Sequence, residues 1–502
     1  MLNPEWQNLA GLEDFCLNIE ERAKDPQGRV MKDDSAARVV AVGYNPHCLV
    51  IKQYNSKSGY KAISRSVRKS KAEKTWNNAR YLRQEAIDTV EPVALVEDRL
   101  GFFRIRSFFV GVYIAGQEAR SFFNDPSNTF PELSAAAEKI VESIFEFHSR
   151  GIFLGDTKDT NIVIRSERVY WVDLDALTVP GLKWIADRKR SRDWKIFFHN
   201  WRNNEAVRQL FLELVRQRMS TSEWQNLAAL LAFHAKKKFS PQSILCRSGM
   251  GRANPWIMPP QLEKAAKGSD VAGWEKVQSA ATAVVLRKET EYGGLYCKVF
   301  LPRNRLEKIK RVLRAGRGER SVKNEYMMRA AGFRVPETIC WERQGGNDYT
   351  VSREVEGVKL VSWLDMKGHD CKYRRMVLKK LGETVGDLHM AGFSHGDLRL
   401  NNIIIQEYGK EPRFFFLDNE RTRLYRKIPR KEIVKNLRQI NTDAVSRLTN
   451  TDRLRIFKAY EKASGGFKRS REKRMLEEIE KKTIKRHAKS GRSVKSSPAV
   501  SP

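Results

Sequence analysis

Cysteine is scarce and scattered. The six cysteines in 502 residues (Cys16, Cys48, Cys246, Cys297, Cys340 and Cys371) make no C-x-x-C pair. This excludes a disulfide framework and a zinc-finger spacing, and it suits reduced thiols in a cytosol. No apolar run reaches the roughly 18 residues that a membrane-spanning helix needs. The N-terminus mixes acidic with apolar residues, where a secretory signal has a basic stretch before an apolar one. These absences predict a cytoplasmic protein. A G-x-G-x-x-G phosphate loop is missing as well. Acids are few beside bases, 60 Asp and Glu against 93 Lys and Arg, for a formal net charge of +33. Such an excess calls for an anionic partner: a membrane surface, a phosphorylated glycolipid or a nucleic acid. Zinc spacing and RNP-type aromatic strands are both absent, so nucleic acid has little specific support.

What is present is one constellation, twice. The first copy reads His148-x-x-Gly151-x-x-x-Gly155-Asp156-x4-Asn161-Ile162-Val163-Ile164, then Val172-Asp173-Leu174-Asp175. The second reads His389-x-x-Gly392-x-x-His395-Gly396-Asp397-x4-Asn402-Ile403-Ile404-Ile405, then Leu417-Asp418-Asn419-Glu420. In each, a β-branched run follows the Asn and a second apolar run leads into an Asp, which predicts a β-hairpin. The start of the first strand then lies beside the end of the second, so Asn161 should sit near Asp173, and Asn402 near Asp418. Two oxygen donors at one place suit Mg²⁺, which takes few protein ligands and completes its shell with water and phosphate. Asp156 and Asp397, in the loop before the hairpin, can face an acceptor hydroxyl and accept its proton during phosphoryl transfer. His148 and His389, each before a Gly at the end of a helical segment, are expected to be buried and structural. Leu154 stands where the second copy has His395, so His395 is expected to support the loop rather than transfer protons.

A phosphotransferase also needs a cation on the donor phosphates. Lys52 ends the run Cys48-Leu49-Val50-Ile51, and Lys298 follows Leu295-Tyr296-Cys297, at similar distances before the two loops. A helical segment follows each. Glu325, in Lys323-Asn324-Glu325-Tyr326, is placed to pair with Lys298. Aligning Trp76 with Tyr326 puts Thr75 at the matching position, so the first copy is expected to be the weaker one.

These residues resemble the bacterial lipopolysaccharide core kinase family, within the wider protein-kinase-like fold. The resemblance rests on Leu388 to Ile403, on Asn324-Glu325-Tyr326 followed by Ala330-Ala331-Gly332-Phe333-x-Val335-Pro336, and in the first copy on Lys71 to Ala79 with Glu91-Pro92. It implies an α+β protein of two tandem protein-kinase-like domains, each a small β-rich lobe over a helical lobe. It also implies transfer of the ATP γ-phosphate to a hydroxyl of heptose or Kdo in the lipopolysaccharide inner core. Asp397 would be the catalytic base, Lys298 would hold the donor phosphates, Glu325 would orient Lys298, and Asn402 and Asp418 would bind Mg²⁺. Lys52, Asp156, Asn161 and Asp173 would do the same work in the first copy. The His-Gly-Asp-x4-Asn pattern is shared with small-molecule phosphotransferases and atypical protein kinases, so the alternatives are a protein kinase, a small-molecule kinase, or a pseudokinase scaffold on membrane or nucleic acid.

The domains are expected at 1–245 and 246–466, with a basic tail at 467–502. The junction falls at Cys246–Pro260, where Gly and Pro cluster. At 41% hydrophobic, the chain has enough apolar residues for two cores. Between the strand lysine and the helix lie Lys57, Lys61, Arg65, Arg68, Lys69, Lys71 and Lys74 in the first copy. Lys308, Lys310, Arg311, Arg314, Arg317, Arg320 and Lys323 lie there in the second. Either cluster suffices to hold the protein on the inner membrane as a peripheral protein, at about 1 kcal/mol per residue. In the tail, Glu477 with Lys481 and Glu478 with Lys482 predict a helical stretch, followed by a disordered end after Ser490.

Overall fold

The computed structural model describes residues 1–35, 37–44, 46–54, 68–101, 103–179, 182–240, 273–280, 282–291, 293–302, 315–344, 347–366, 370–408, 411–443, 447–466 and 469–489. The expected junction at 246–260 lies outside them, as do Lys57, Lys61, Arg65, Lys308, Lys310, Arg311 and Arg314 of the basic clusters and the end of the tail. The chain divides into two compact units, Met1–Arg218 and Met219–Pro502.

In the first unit, β1 (Arg29–Asp33), β2 (Ala37–Tyr44), β3 (His47–Tyr54), β4 (Pro92–Leu100) and β5 (Phe103–Val112) form an antiparallel sheet in the order β1-β2-β3-β5-β4. Alternate residues of β2 and β3 point inward: Val40, Val42, Leu49 and Ile51 pack against Leu12, Phe15 and Ile19 from two short helices near the N-terminus. Helix α1 (Lys71–Gln84) lies in sequence between β3 and β4, and the Ser70 hydroxyl caps it by accepting from Glu73 N at 2.8 Å. Beyond the sheet come α2 (Phe130–Ser149), the hairpin of β6 (Ile162–Arg165) and β7 (Arg168–Trp171), then α3 (Lys183–Asn200) and α4 (Glu205–Arg218). A Thr129–Glu132 capping box starts α2, which buries Ile140, Val141, Ile144 and Phe147 at helical spacing.

The second unit opens with α5 (Thr221–Lys238). Its sheet holds β8 (Glu275–Ala280), β9 (Ala283–Lys288), β10 (Leu295–Phe300), β11 (Thr338–Gln344) and β12 (Asn347–Arg353) in the order β8-β9-β10-β12-β11, the same pattern as in the first unit. Helix α6 (Arg317–Ala330) again falls between the third and fourth strands. There follow α7 (Cys371–Met390), the hairpin of β13 (Ile403–Tyr408) and β14 (Glu411–Phe416), α8 (Arg430–Asp443), α9 (Asn450–Ala463) and α10 (Arg469–Lys489). The chain is therefore α+β, with small antiparallel sheets followed by helical segments. Both hairpins form where the apolar runs predicted them, with Ile162 opposite Trp171 and Ile403 opposite Phe416. The tail is helical to Lys489, and Lys482 Nζ meets Glu478 Oε1 at 2.8 Å as its spacing predicted. None of the five described cysteines is in a disulfide. Among the described residues, no helix is long and apolar enough to cross a membrane.

Helix α5 was expected in the first domain and is found in the second unit. It buries Trp224, Leu227, Leu231 and Ala235. Its Gln225 amide donates to Asp387 Oδ1 at 3.0 Å on α7 and to the Ala463 carbonyl at 2.6 Å at the end of α9. An amphipathic pattern shows that a helix has a face to bury, but not which core receives it. A fragment of residues 219–502 should therefore unfold cooperatively. One beginning at residue 246 should lose about 4 kcal/mol or more, from the apolar side chains of α5 that it lacks. Equal denaturant midpoints for the two would place the boundary after α5.

Candidate active site

The hairpins set the geometry. Val172 N donates to the Asn161 carbonyl at 2.9 Å, and Leu417 N donates to the Asn402 carbonyl at 2.8 Å. Each closure puts the loop Asn beside the Asp that follows the second strand, as the strand pairing predicted. Asp173 and Asp418 both adopt left-handed backbone angles, with φ of 61° and 58°. That conformation costs a non-glycine residue about 1–3 kcal/mol, and such strain clusters at functional sites. Just before the loop aspartates, Gly155 and Gly396 also have positive φ, and a Cβ at either would run into the carbonyl oxygen of Ala176 or Arg421.

Buried polar side chains anchor the loops from below. In the first unit Asp193, on α3, accepts from Leu154 N at 3.0 Å and Gly155 N at 2.8 Å, and it lies 3.2 Å from His148 Nε2. In the second unit Asn436, on α8, has that position: its Oδ1 accepts from His395 N at 3.2 Å and His389 Nε2 at 3.1 Å. Gln439, one turn on, accepts from Leu398 N at 3.1 Å and donates to Asp397 Oδ1 at 3.2 Å. His148 and His389 are buried, as expected. Burial lowers the pKa of both, that of His389 to about 4. His395 is fully buried against Phe416. Burial holds it neutral against the opposing pull of Asp418 and Asp397.

The loop aspartates face cations two residues on. Lys158 lies 2.7 Å from Asp156, and Arg399 lies 3.1 Å from Asp397. Asn161 Nδ2 donates to the Asp156 carbonyl at 3.1 Å, and Asn402 Nδ2 to the Asp397 carbonyl at 3.0 Å. Each amide oxygen, the atom a metal takes, accepts no hydrogen bond among the described residues.

Lys52 is ion-paired with Asp173, and Lys298 with Asp418. Each lysine also lies over the ring two residues along its own strand, Lys52 over Tyr54 at 5.0 Å and Lys298 over Phe300 at 5.1 Å. A second cation, from the first residue of the following helix, faces the same ring: Lys71 at 5.9 Å from Tyr54, Arg317 at 5.2 Å from Phe300. That cation pairs with the acid two residues past the hairpin Asp. Lys71 meets Asp175 at 2.9 Å, and Arg317 grips Glu420 with two bonds of 2.8 and 3.0 Å. Burial pushes the Asp418 carboxyl up, but the charge and hydrogen bond of Lys298, with Arg317 behind it, outweigh that and hold the group below the usual carboxylate range.

The expected Glu325–Lys298 pair is not formed. Glu325 is buried on the inner side of α6, where it accepts from Ser321 at 2.9 Å and from Thr338. Burial raises its pKa despite those bonds. The alignment behind that expectation shifts too. Asn78 donates to the Leu174 carbonyl at 2.8 Å, and Asn324 to the Asn419 carbonyl at 2.7 Å. Each Asn stands seven residues after the helix-starting cation, so α1 and α6 match with Lys71 on Arg317, and Ala79 corresponds to Glu325. Either register leaves the first copy without a carboxylate at that place, but in the second copy Glu325 holds Ser321 and Thr338 and not the strand lysine. The repeated Lys-x-aromatic and Asp-x-acid patterns carried a signal for this cluster. For the anchors Asp193, Asn436 and Gln439 no local pattern gave one.

Among the described residues, no group of three or more His, Cys, Asp or Glu side chains is arranged to hold a metal. The donor set fits a magnesium ion that arrives with phosphates: one carboxylate and one uncommitted amide oxygen in each half, the remaining positions left to phosphate and water. In the first unit these residues border a cavity of about 360 Å³. Val39, Val50 and Val163 line it, and Lys52, Asn161 and Asp173 border it. Apolar walls with a few convergent polar groups suit a flat base carrying phosphates.

The chain is thus a kinase, a phosphotransferase in which each half carries a small antiparallel sheet, a loop Asp and a hairpin that closes on a second Asp. Residues 304–460 match the Lipopolysaccharide kinase (Kdo/WaaP) family. No curated protein matches the chain. Among solved structures, it resembles WaaP in complex with acyl carrier protein at 18% identity and TM-score 0.33, over 46% of this chain and 98% of that one. A mutant form of the Mycobacterium tuberculosis PknI kinase domain matches at 15% identity and TM-score 0.25, over 35% of this chain and 70% of that one. The bifunctional kinase-methyltransferase WbdD matches at 16% identity and TM-score 0.29, over 42% of this chain and 51% of that one.

The Arg317–Glu420 pair is almost fully buried, whereas Lys71 of the equivalent pair is 62% exposed in its side chain. Arg317→Ala should therefore cost about 3–5 kcal/mol by removing the bidentate partner of the buried Glu420, and Lys71→Ala no more than about 1 kcal/mol. Denaturant unfolding of the two variants checks this, and equal losses would contradict it. A pH effect follows from His389, whose folded pKa lies below its unfolded value. Its contribution to stability is complete above about pH 6.5 and is lost as pH falls toward 4. The melting temperature should fall across that window, and fall less steeply in His389→Gln.

Proposed function

We propose that this kinase transfers the γ-phosphate of ATP to a sugar hydroxyl of the lipopolysaccharide inner core, with the second unit as a catalytic site. The observation that carries the reading is the convergence, within or beside the family-matched residues, of Asp397, Asn402, Asp418 and Lys298 around one hairpin mouth. In this reading Asp397 accepts the proton of the acceptor hydroxyl. Gln439 and Arg399 hold its carboxylate in place, Gln439 by donating at 3.2 Å and Arg399 as an ion pair at 3.1 Å. Lys298 binds the donor phosphates, and Asn402 and Asp418 are the metal ligands. Magnesium, when bound there, supplies charge neutralisation on the phosphates.

Lys52, Asp156, Asn161 and Asp173 have the same roles in the first unit. The matched strand order, the matched cation cluster and the apolar-walled cleft favour a second copy of the kinase that binds ATP. The net charge of +33 favours an anionic glycolipid acceptor at a membrane surface.

The test is transfer of label from ATP to core oligosaccharide by wild type, Asp397→Asn, Asp156→Asn and the double variant. Asp397→Asn should lower turnover by roughly 10²–10⁴-fold. Full turnover in all three variants removes both aspartates as bases. Label found in protein or in a soluble metabolite instead rejects the sugar acceptor.

A further inference from the structure

Beside the catalytic loop of the second unit lies an open basin of about 350 Å³ lined by Lys435, Arg438, Lys482, Lys485 and Arg486. All five are basic. Two come from α8 and three from α10, a helix that lies beyond residues 304–460. Helix α10 is seated, not loosely apposed. Met475, Ile479 and Thr483 are buried, Asn441 donates to the Thr483 hydroxyl at 3.0 Å, and Arg430 meets Glu478 at 2.8 Å.

The charge in the basin is only partly balanced. Lys482 has Glu478 at 2.8 Å and Lys435 has Glu432 at 3.4 Å. Arg438, Lys485 and Arg486 have no carboxylate partner among the described residues. Burial, Arg486 and Arg399 together lower the pKa of Arg438, so Arg438 feels the charge of both neighbouring guanidinium groups. Holding like charges together without a counter-charge is unfavourable, and a bound dianion relieves it. Arg399 is the residue that pairs with Asp397, and Gln439, next to Arg438 on α8, donates to the same carboxylate. The basin therefore adjoins the loop Asp and is separate from the Lys298–Asp418 pair assigned to the donor phosphates.

We propose that this basin is an acceptor subsite that binds a phosphate group already carried by the sugar substrate. The assignment rests on the acceptor reading given above. Its chemistry is that of a phosphomonoester dianion: two guanidinium forks and an ammonium supply more than one charge, and the fork geometry matches tetrahedral phosphate oxygens. The basin holds the anchor phosphate while an adjacent hydroxyl faces Asp397, so the enzyme acts on acceptors that are phosphorylated before they reach it.

The test uses the full chain and the variant Lys485→Ser/Arg486→Gln, whose side chains are exposed. The phosphorylated core oligosaccharide should show a KM roughly tenfold higher with the variant, while the KM for ATP is unchanged. With acceptor stripped of phosphate by phosphatase, variant and wild type should share one KM. Inorganic phosphate should compete with acceptor in the wild type and much less in the variant. The proposal is overturned if the KM does not change, if it rises equally with both acceptors, or if the KM for ATP rises instead. It is also overturned if the only loss is in binding to phosphatidylglycerol vesicles, which would make the basin a membrane contact. Should no core oligosaccharide be phosphorylated at all, the acceptor reading fails on its own. Calorimetric titration of wild type and variant with inorganic phosphate then decides the basin: binding lost in the variant supports it, and equal or absent binding rejects it.

Discussion

Both halves depend on one backbone hydrogen bond, from the residue before the hairpin's final Asp to the carbonyl of the loop Asn. It closes the mouth of the hairpin. Without it, an amide and a carboxylate a dozen or more residues apart in the chain have no reason to meet. With it, the Asp is driven into a left-handed conformation at the rim, where the strand lysine reaches it. The strain is stored locally and offset by the β-branched and aromatic pairs behind it, Ile162 with Trp171 and Ile403 with Phe416. The loop in front is fixed differently, from below, by a single buried polar side chain that satisfies backbone N–H groups and a histidine at once.

The two halves solve the same electrostatic problem with different dielectric settings. In each, two cations flank one aromatic ring and are neutralised by two acids spaced two residues apart. In the second unit the outer pair is a bidentate guanidinium–carboxylate bond in a dry interior; in the first it is an ammonium at the surface. The buried arrangement is rigid and sensitive to loss of one partner, and the exposed one is screened by water. Likewise an Asp at the anchor position of the first unit becomes an Asn in the second. Asp193 accepts from the loop through both oxygens, whereas Asn436 accepts through Oδ1 and uses its amide to hold Gln439 at 3.2 Å. That extra donor links the second loop to a residue that touches Asp397.

The second unit extends past its family-matched residues on both sides. Helix α5 enters through a glutamine that bridges two helices, and α10 leaves along α8 with Met475 and Ile479 buried and three of its cations facing one basin with Lys435 and Arg438. A tail whose composition alone reads as a nonspecific basic arm is thereby ordered into one wall of a defined basin.

Much of this was legible in the sequence, because local chemistry repeats. The β-branched and aromatic runs predicted the hairpins, and hairpin pairing predicted which Asn meets which Asp. The histidines at the ends of helical segments were read as buried, which they are. Three things were decided only by tertiary structure. Glu325 faces Thr338 rather than Lys298, because the rotation of α6 is set by Asn324 and Arg317 bonding to the segment after the second hairpin. Helix α5 belongs to the second core, because an amphipathic face carries no label for the surface that will cover it. The loop anchors are single polar residues on distant helices, whose value lies in the backbone groups they satisfy. Local sequence determines which shapes a segment can take; which buried polar group meets which partner depends on contacts between residues tens to hundreds of positions apart, and those exist only once the chain has folded.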